Sequence, residues 1–233
     1  MTLPDPEALR QEYNDHYRSS IDHWSCHDPA QAASIVALVL QRLSVFGGAP
    51  ARGGSVLDVG CAKGHICEAF RQAGLEAHGL DYSDVAVEKA TKLFPACRFY
   101  HMDGLNPEFD RKFDLVFMRG FSGCNTLEIG NVAALCNRYV ALLKPGGFLV
   151  LGYSTDFSGR HRPGDTVCWS QRQIDQINAQ VRARWLGSIV IPRRTLFRAL
   201  KIGLGRFLGR HSKHYLYLFF RSAGGDPAAS APT

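Results

Sequence analysis

Short apolar segments alternate with stretches of helical periodicity through the middle of the chain. The apolar segments predict strands at 55–59, 76–80, 98–102, 113–118 and 148–153. Between them, apolar residues recur every three or four positions, as on one face of an α-helix. Strands that are apolar on both faces and separated by helices are typical of a parallel sheet covered on both sides. The pattern therefore predicts an α/β, doubly wound domain.

Capping and breaking residues place the ends of several helices. Ser83 can cap a helix that ends near Pro95, and Ser170 with Gln173 matches a capping box. A helix at 132–143 is expected to end at the sequence KPGG, 144–147, which we interpret as the turn before the fifth strand. Two late apolar segments, 186–191 and 215–220, predict a final pair of strands.

The first 48 residues have a different pattern. Pro6 and the pair Asp28-Pro29 are helix-start signals, and the second helix runs to the glycines at 47 and 48. The first helix carries a stripe of Leu9, Tyr13, Tyr17, Ile21 and Trp24. This stripe has two interpretations, a face packed on the core or a lid over a ligand. We therefore divide the chain into an N-terminal helical lid at 1–48, a main domain at 49–222 and a tail at 223–233 that has nothing to bury and is predicted to be disordered.

Composition narrows the classes of protein. The chain has 45% hydrophobic and 21% charged residues, which is ordinary for a soluble globular protein. Its formal net charge of +6 is a mild excess that suggests an anionic substrate or surface, although many enzymes with neutral substrates are equally basic. No signal peptide or long apolar span is visible, so we predict a cytoplasmic protein. The seven cysteines form no C-x-x-C pair and are expected to be free thiols. Without a run of five Lys or Arg residues, nucleic acid is not the favoured partner.

The turn after the first strand is the first candidate for chemistry. It reads DVGCAKGH, from Asp58 through Gly60, Cys61, Ala62 and Gly64, and a helix follows at once. Glycines allow a ligand to approach the backbone, and the helix N-terminus adds N–H groups. A dinucleotide-binding fingerprint would need glycine at 62 and 65. Because the chain has Ala62 and His65 there, an NAD-dependent oxidoreductase is disfavoured.

Further polar residues follow the next strands. Asp81 and Tyr82 follow the second strand, at a position where a carboxylate can accept hydrogen bonds from ribose hydroxyls. Met102, Asp103 and Gly104 follow the third, where Asp103 can meet an adenine amino group and Met102 the ring face. Arg119 ends the fourth. Together with Asp58, these residues predict a site for an adenosine-containing cofactor with an ammonium group.

The ordered segments VLDVGCAKG, GLDYS, HMDG, FDLVFMRG and LLKPGGFLVLGYS resemble the motif series of class I S-adenosylmethionine-dependent methyltransferases, over about residues 50–155. The resemblance implies a Rossmann-like, mostly parallel seven-stranded sheet with helices on both faces and an antiparallel last strand. It implies S-adenosylmethionine as cofactor and S-adenosylhomocysteine as product. The following roles are transferred residue by residue: Asp58, Gly60 and Gly64 frame the methionine end, Asp81 takes the ribose, Asp103 the adenine side, and the backbone at Arg119 and Gly120 the amino group.

Two residues depart from the family's pattern. Ala62 stands where glycine is commoner, and Lys63 is charged and points either to solvent or to the methionine carboxylate. For the reaction itself, no histidine stands out as a base: His161 is the tentative candidate because its loop follows the fifth strand, and His16, His23 and His65 are weaker ones. No metal-ligand spacing is visible, so we predict a metal-independent reaction.

A basic amphipathic segment lies in an insert at 192–213, between the last two predicted strands. In 195–210, the apolar side chains share one helical arc and the basic ones lie off it. Such a segment can pack as a cap, contact an anionic membrane or a lipid-linked substrate, or form a dimer contact. Its glycines at 203, 205 and 209 weaken a rigid helix.

These observations predict an enzyme that methylates a small-molecule or carrier-linked acceptor, such as a sugar, glycolipid or secondary metabolite. Oxygen is the expected accepting atom, and nitrogen is the next choice. An RNA methyltransferase and a non-catalytic S-adenosylmethionine-binding module remain alternatives. The oligomeric state is left open by the sequence.

Overall fold

A computed structural model of the 233-residue chain describes residues 6–19, 28–156, 167–191 and 214–224. The predictions for His161, for the insert and its basic segment 195–210, and for the tail beyond residue 224 lie outside these residues. So do Ile21, His23 and Trp24 of the N-terminal segment. Among the described helices, none is long and apolar enough to cross a membrane.

Seven strands form one sheet: β1 (Ser55–Val59), β2 (Glu76–Asp81), β3 (Arg98–His101), β4 (Phe113–Arg119), β5 (Leu143–Thr155), β6 (Arg184–Ile191) and β7 (His214–Arg221). Their order across the sheet is β3-β2-β1-β4-β5-β7-β6. Strand β2 pairs in parallel with both β1 and β3, whereas β7 is antiparallel to both β5 and β6. The predicted doubly wound fold with an antiparallel last strand is therefore confirmed.

The predicted helix-start residues are confirmed by cap hydrogen bonds. Asp28 and Ser83 each accept a backbone N–H through the side chain, and Ser170 forms a complete capping box with Gln173. The helices of the described residues are α1 (Pro6–Arg18), α2 (Pro29–Val45), α3 (His65–Gln72), α4 (Asp84–Leu93), α5 (Ile129–Ala141) and α6 (Gln171–Gln180).

One boundary prediction is wrong. The sequence KPGG does not form a turn before the fifth strand, because β5 already begins at Leu143. The residues after β7 hold this stretch in the ladder: Ser222 N donates to Gly147 O at 2.8 Å, and Gly146 N donates to Ala223 O at 3.2 Å. Gly146 has φ +76°, so a local kink is accommodated within the strand.

The chain divides into two compact units, residues 1–117 and 118–233. In the first unit, every residue of β1 is buried, and α3 packs against β1 and β2. β3 is the exception to the apolar pattern, since it lies at the sheet edge and is only partly buried. In the second unit, β7 supplies a fully buried apolar row of Leu218, Phe219 and Phe220.

Candidate cofactor site

The turn after β1 has a backbone that few side chains tolerate. Gly60, Ala62 and Gly64 all have positive φ, at +72°, +51° and +80°. In the described part of the chain, Ala62 is the one residue other than glycine that has a positive φ. A left-handed backbone costs a residue with a Cβ atom about 1–2 kcal/mol. The amides of Gly60 and Cys61 both donate to Leu80 O at 2.9 Å, which fixes the turn to the end of β2.

Asp81 connects this turn to the loop that follows β2. Its Oδ2 accepts the Ala62 N–H at 2.8 Å and its Oδ1 accepts the Ser83 N–H at 3.0 Å. Burial raises the pKa of Asp81, and the backbone hydrogen bonds act in the opposite direction. An ionised carboxylate has about four acceptor positions, so the three backbone donors at Ala62, Tyr82 and Ser83 leave capacity for a hydroxyl donor of a ligand.

Asp58 is the second buried carboxylate of the region. It is 4% exposed, and its Oδ2 accepts the Cys67 thiol at 3.6 Å. The side chains of Cys61 and Cys67 share a hydrogen bond, and burial raises the pKa of Cys61 to about 11. A Cβ on Gly79 would lie 2.7 Å from Cys61 Sγ and 2.8 Å from Cys67 Sγ. Gly79 is therefore required by the packing of the two thiols, which also fill the space beneath the turn.

The residues after β3 form a local turn. Asp103 Oδ1 accepts the Leu105 N–H at 2.8 Å, and its Oδ2 accepts the Asn106 amide at 3.0 Å. Met102 N donates to Asp81 O at 3.0 Å, so this turn is connected to the Asp81 loop. Ten of the eleven predicted cofactor residues, from Asp58 to Gly104, thus lie in the first unit, and the hydrogen bonds join their three loops.

Arg119, the eleventh, belongs to the second unit. Its guanidinium lies over the Tyr215 ring at 5.0 Å, and the Tyr215 hydroxyl donates to Gly152 O at 2.9 Å. Gly120 follows with φ +65°, and its amide donates to the same carbonyl of Gly152 at 2.9 Å. The end of β4 is therefore held by β5 and β7.

Near the carboxyl end of β5, aromatic and polar side chains form a second cluster in the same unit. Tyr153 stacks on Trp169 with ring centroids 4.7 Å apart, and its hydroxyl donates to Asn125 Oδ1 at 2.8 Å. Trp169 Nε1 donates to Thr126 O at 3.3 Å. We call Tyr153, Trp169 and Asn125 the aromatic cluster. It orients an exposed amide, Asn125, through buried rings.

Helix α1 contributes the predicted stripe residues Tyr13 and Tyr17 and one residue, Asn14, that sequence reasoning missed. Asn14 is buried at 4% exposure, and its Oδ1 accepts the Ser83 hydroxyl at 2.6 Å. Tyr17 packs against Ala62 and Ala86, while the Tyr13 ring meets the Tyr82 ring edge-on at 6.4 Å. The signal for Asn14 in the sequence was weak, because the position of a polar residue between Tyr13 and Tyr17 does not indicate that it is buried.

Two of the four candidate histidines, His65 and His16, lie in the described part of the chain, and each contacts an aromatic ring. His65 meets the Phe94 ring edge-on at 5.1 Å, and His16 meets Tyr17 at 5.4 Å. His23 and His161 lie outside the described residues. Within those residues, no group of three or more His, Cys, Asp or Glu side chains could hold a metal ion.

Comparison with known proteins identifies one domain of the chain. Residues 56–147 match a family model described as a methyltransferase domain. No curated protein matches the chain significantly.

Many solved structures share the fold. Magnesium protoporphyrin IX methyltransferase from Synechocystis PCC 6803, solved with bound S-adenosylmethionine, is 16% identical with a TM-score of 0.61, over 95% of this chain and 99% of that one. The N-methyltransferase NodS from Bradyrhizobium japonicum WM9, in complex with S-adenosylhomocysteine, is 18% identical with a TM-score of 0.62, over 91% and 97%. The [4+2]-cyclase SpnF is 19% identical with a TM-score of 0.64, over 97% and 99%.

The structural neighbours establish the fold, and the matched domain spans the turn after β1, the Asp81 loop and the strand β4. The chain therefore contains a methyltransferase domain over residues 56–147 and shares its fold with solved methyltransferases that bind S-adenosylmethionine or S-adenosylhomocysteine.

Proposed function

We propose that this methyltransferase transfers a methyl group to an oxygen atom of a small-molecule or carrier-linked acceptor, without a metal ion. The observation that carries the cofactor half of the proposal is the pair of buried carboxylates, Asp58 and Asp81, beside a turn with three positive φ angles. This donor and acceptor set fits a ligand that carries hydroxyl and ammonium donors and no phosphate.

The proposed residue roles are those that the motif resemblance implies, and the contacts around Asp81 support them. Asp81 accepts from the ribose with the acceptor capacity left by its backbone donors at Ala62, Tyr82 and Ser83. Asp58, Gly60, Cys61, Ala62 and Gly64 are proposed to bind the methionine end, and the resemblance assigns Arg119 to its amino group. Met102, Asp103 and Gly104 face the adenine, and the Asp103 turn presents their backbone.

The chemistry that the cofactor supplies is an electrophilic methyl group on a sulfonium centre. The chain has to hold the accepting atom in line with that methyl group, and good alignment alone supplies much of the rate. A hydroxyl acceptor must also lose its proton, for which a base within hydrogen-bond reach is needed. His161 remains the proposed base.

The aromatic cluster is the proposed acceptor contact of the second unit. Ligands of open α/β sheets bind beyond the carboxyl ends of the strands, and Tyr153 lies near that end of β5. Tyr153 and Trp169 are buried, so the part of the cluster that a ligand can reach is the exposed Asn125 amide. An amide held in place by the rings suits an acceptor with hydroxyl groups. Residues 1–48 are proposed to act as a lid, and segment 195–210 as a cap or a membrane contact.

Two measurements test the proposal in order. Calorimetry should detect S-adenosylhomocysteine binding well below millimolar concentration, and binding to neither cofactor form at that concentration would refute the site. S-adenosylmethionine with a ¹³C-labelled methyl group should then label an acceptor from a panel of sugars, glycolipid precursors and phenolic metabolites. The carbon shift of the product separates an O-methyl from an N-methyl group. Cofactor binding with no transfer to any class of acceptor, RNA included, would favour the non-catalytic module.

A further inference from the structure

Asn14 and Ser83 form a buried hydrogen bond between helix α1 and the loop after β2. The Ser83 hydroxyl donates to Asn14 Oδ1 at 2.6 Å across 69 residues of sequence. Ser83 is fully buried and Asn14 is 4% exposed, so water does not compete easily for this bond. Buried polar pairs of this kind are costly to break, since each partner then remains unsatisfied.

Ser83 is also connected to the proposed ribose carboxylate. Its backbone N–H donates to Asp81 Oδ1 at 3.0 Å, and its Oγ accepts the Ala86 N–H at 3.1 Å as the N-cap of α4. Ser83 therefore makes three contacts: its hydroxyl donates to Asn14 of α1, the same oxygen caps α4, and its backbone amide orients Asp81.

Helix α1 contacts the turn after β1 as well. Tyr17 packs on Ala62, whose amide donates to the other oxygen of Asp81. The Tyr17 carbonyl also accepts a hydrogen bond from Lys89 Nζ of α4. Two of the three backbone donors of the Asp81 carboxylate are thus supported from one helix, Ser83 through Asn14 and Ala62 through Tyr17.

From these contacts we infer that Asn14 is a positioning residue of the cofactor site: its bond to Ser83 docks α1 and thereby holds Asp81 in its binding geometry. The inference rests on the proposed function, and it specifies how the N-terminal segment acts on the cofactor. Docking of α1 and cofactor binding are then coupled. By linkage, the cofactor must strengthen docking by the same factor by which docking strengthens cofactor affinity.

The main test is a double-mutant cycle with S-adenosylhomocysteine as the probe. Asn14→Leu removes the acceptor with little change in volume, and we expect it to raise the Kd by about five- to tenfold, since only the docked fraction binds tightly. Ser83→Ala removes the donor. In the Ser83→Ala background, Asn14→Leu should change the Kd by less than about twofold, because the bond is already absent.

Matched variants separate a local effect from a general one. Gln11→Leu makes a similar change at an exposed position of the same helix and should leave the Kd unchanged. Ser83→Thr keeps the hydroxyl and should retain most of the affinity. A lower melting temperature for Asn14→Leu with an unchanged Kd would overturn the inference and leave Asn14 a structural residue only.

Hydrogen exchange of the unmodified chain gives a second test that does not depend on the stability of a variant. Saturating S-adenosylhomocysteine should slow exchange of the α1 amides, and the amides of α2 serve as an internal reference. Unchanged α1 exchange in a chain that binds the ligand would contradict the coupling while leaving the proposed function intact. Failure of the unmodified chain to bind would overturn both.

Discussion

The backbone amide of Ala62 donates a 2.8 Å hydrogen bond to Oδ2 of Asp81, so the turn after β1 and the end of β2 share one carboxylate. Ala62 holds a φ of +51°, which is unfavourable for a residue with a side chain. The bond helps to maintain this conformation, because an amide turned away from Asp81 would lose a charge-assisted acceptor. A residue proposed to bind ribose therefore also stabilises the turn proposed to bind methionine.

Removal of the Asp81 carboxylate should weaken cofactor binding and destabilise the turn together. For Asp81→Ala we expect a loss of about 1–3 kcal/mol in binding free energy for S-adenosylhomocysteine, because ribose hydroxyls would be left without acceptors. The amides of Ala62 and Ser83 lose their acceptor too, so the melting temperature should also fall. Calorimetry and thermal denaturation measure the two effects.

Asp84→Asn is the matched control for this prediction. Asp84 lies only three residues further along the chain, but it is exposed at the start of α4. The variant should bind with nearly unchanged affinity. If Asp81→Ala also binds like the unmodified chain, Asp81 has no role in cofactor binding.

Gly79→Ala should destabilise the first unit by steric overlap. The added Cβ would lie 2.7 Å from Cys61 Sγ and 2.8 Å from Cys67 Sγ, and both thiols are buried. Overpacking of this kind typically costs about 1–3 kcal/mol. Urea denaturation measures the change in the free energy of unfolding. Because Cys61 belongs to the cofactor turn, S-adenosylhomocysteine affinity should fall as well.

A second glycine supplies the control. Gly130 lies in the first turn of α5, and a Cβ there would meet nothing within 4 Å. Gly130→Ala should leave the stability unchanged or raise it by up to about 1 kcal/mol, since alanine favours the helix. Equal stability of the two alanine variants would contradict the steric explanation.

The stability of the chain should fall as the pH drops below the ordinary pKa of histidine, because of His78. Its ring is fully buried, with Nδ1 2.9 Å from the Tyr100 hydroxyl and Nε2 3.1 Å from Glu76 Oε1. Burial lowers the pKa of His78 from its ordinary 6.5, and the charge of Arg111 lowers it further, against the opposing charge of Glu76.

The sign follows from proton uptake. Below pH 6.5 the unfolded chain protonates His78 while the folded chain does not, so the free energy of unfolding decreases. This contribution is fully present above pH 6.5, and its slope cannot exceed about 1.4 kcal/mol per pH unit for one proton. Denaturant titrations at several pH values should show a shallower decline for His78→Gln than for the unmodified chain. Parallel declines would show that other groups cause the effect.

Local patterns in the sequence were sufficient for the sheet and much of the proposed site. Ser83 and Ser170 were recognisable as helix caps because capping depends on residues three or four positions apart. Asp58 and Asp81 were recognisable as site candidates because parallel strands bring their carboxyl ends to one edge. Local sequence spacing determines where the caps lie, and sheet topology determines where the two carboxylates lie.

Contacts between distant segments were not predictable. No periodicity relates Asn14 to Ser83, and the stripe that marked Tyr13 and Tyr17 gave no reason to expect a buried amide beside them. The start of β5 was missed for the same reason, since Gly147 is held in the ladder by Ser222 from the opposite end of the domain. Composition alone favours a turn there, and tertiary hydrogen bonds override it.

The buried thiols provide a final prediction, in which alkylation reports on the cofactor turn. The thiolate is the reactive form, and burial raises the pKa of Cys61 to about 11 and that of Cys67 well above its ordinary value. At pH 8, iodoacetamide should therefore label both far more slowly in the folded chain than in urea, where all seven cysteines are accessible. Peptide mapping by mass spectrometry follows each position.

Labelling of Cys61 in the folded chain requires local opening of the turn. A ligand that binds only the closed turn suppresses that opening in proportion to its saturation. S-adenosylhomocysteine at about 100 times its Kd should thus slow Cys61 labelling by up to about a hundredfold, with little effect on Cys136, which is buried on α5. Equal slowing at both positions would mean that opening is global, and no slowing at either would mean that the ligand does not bind at this turn.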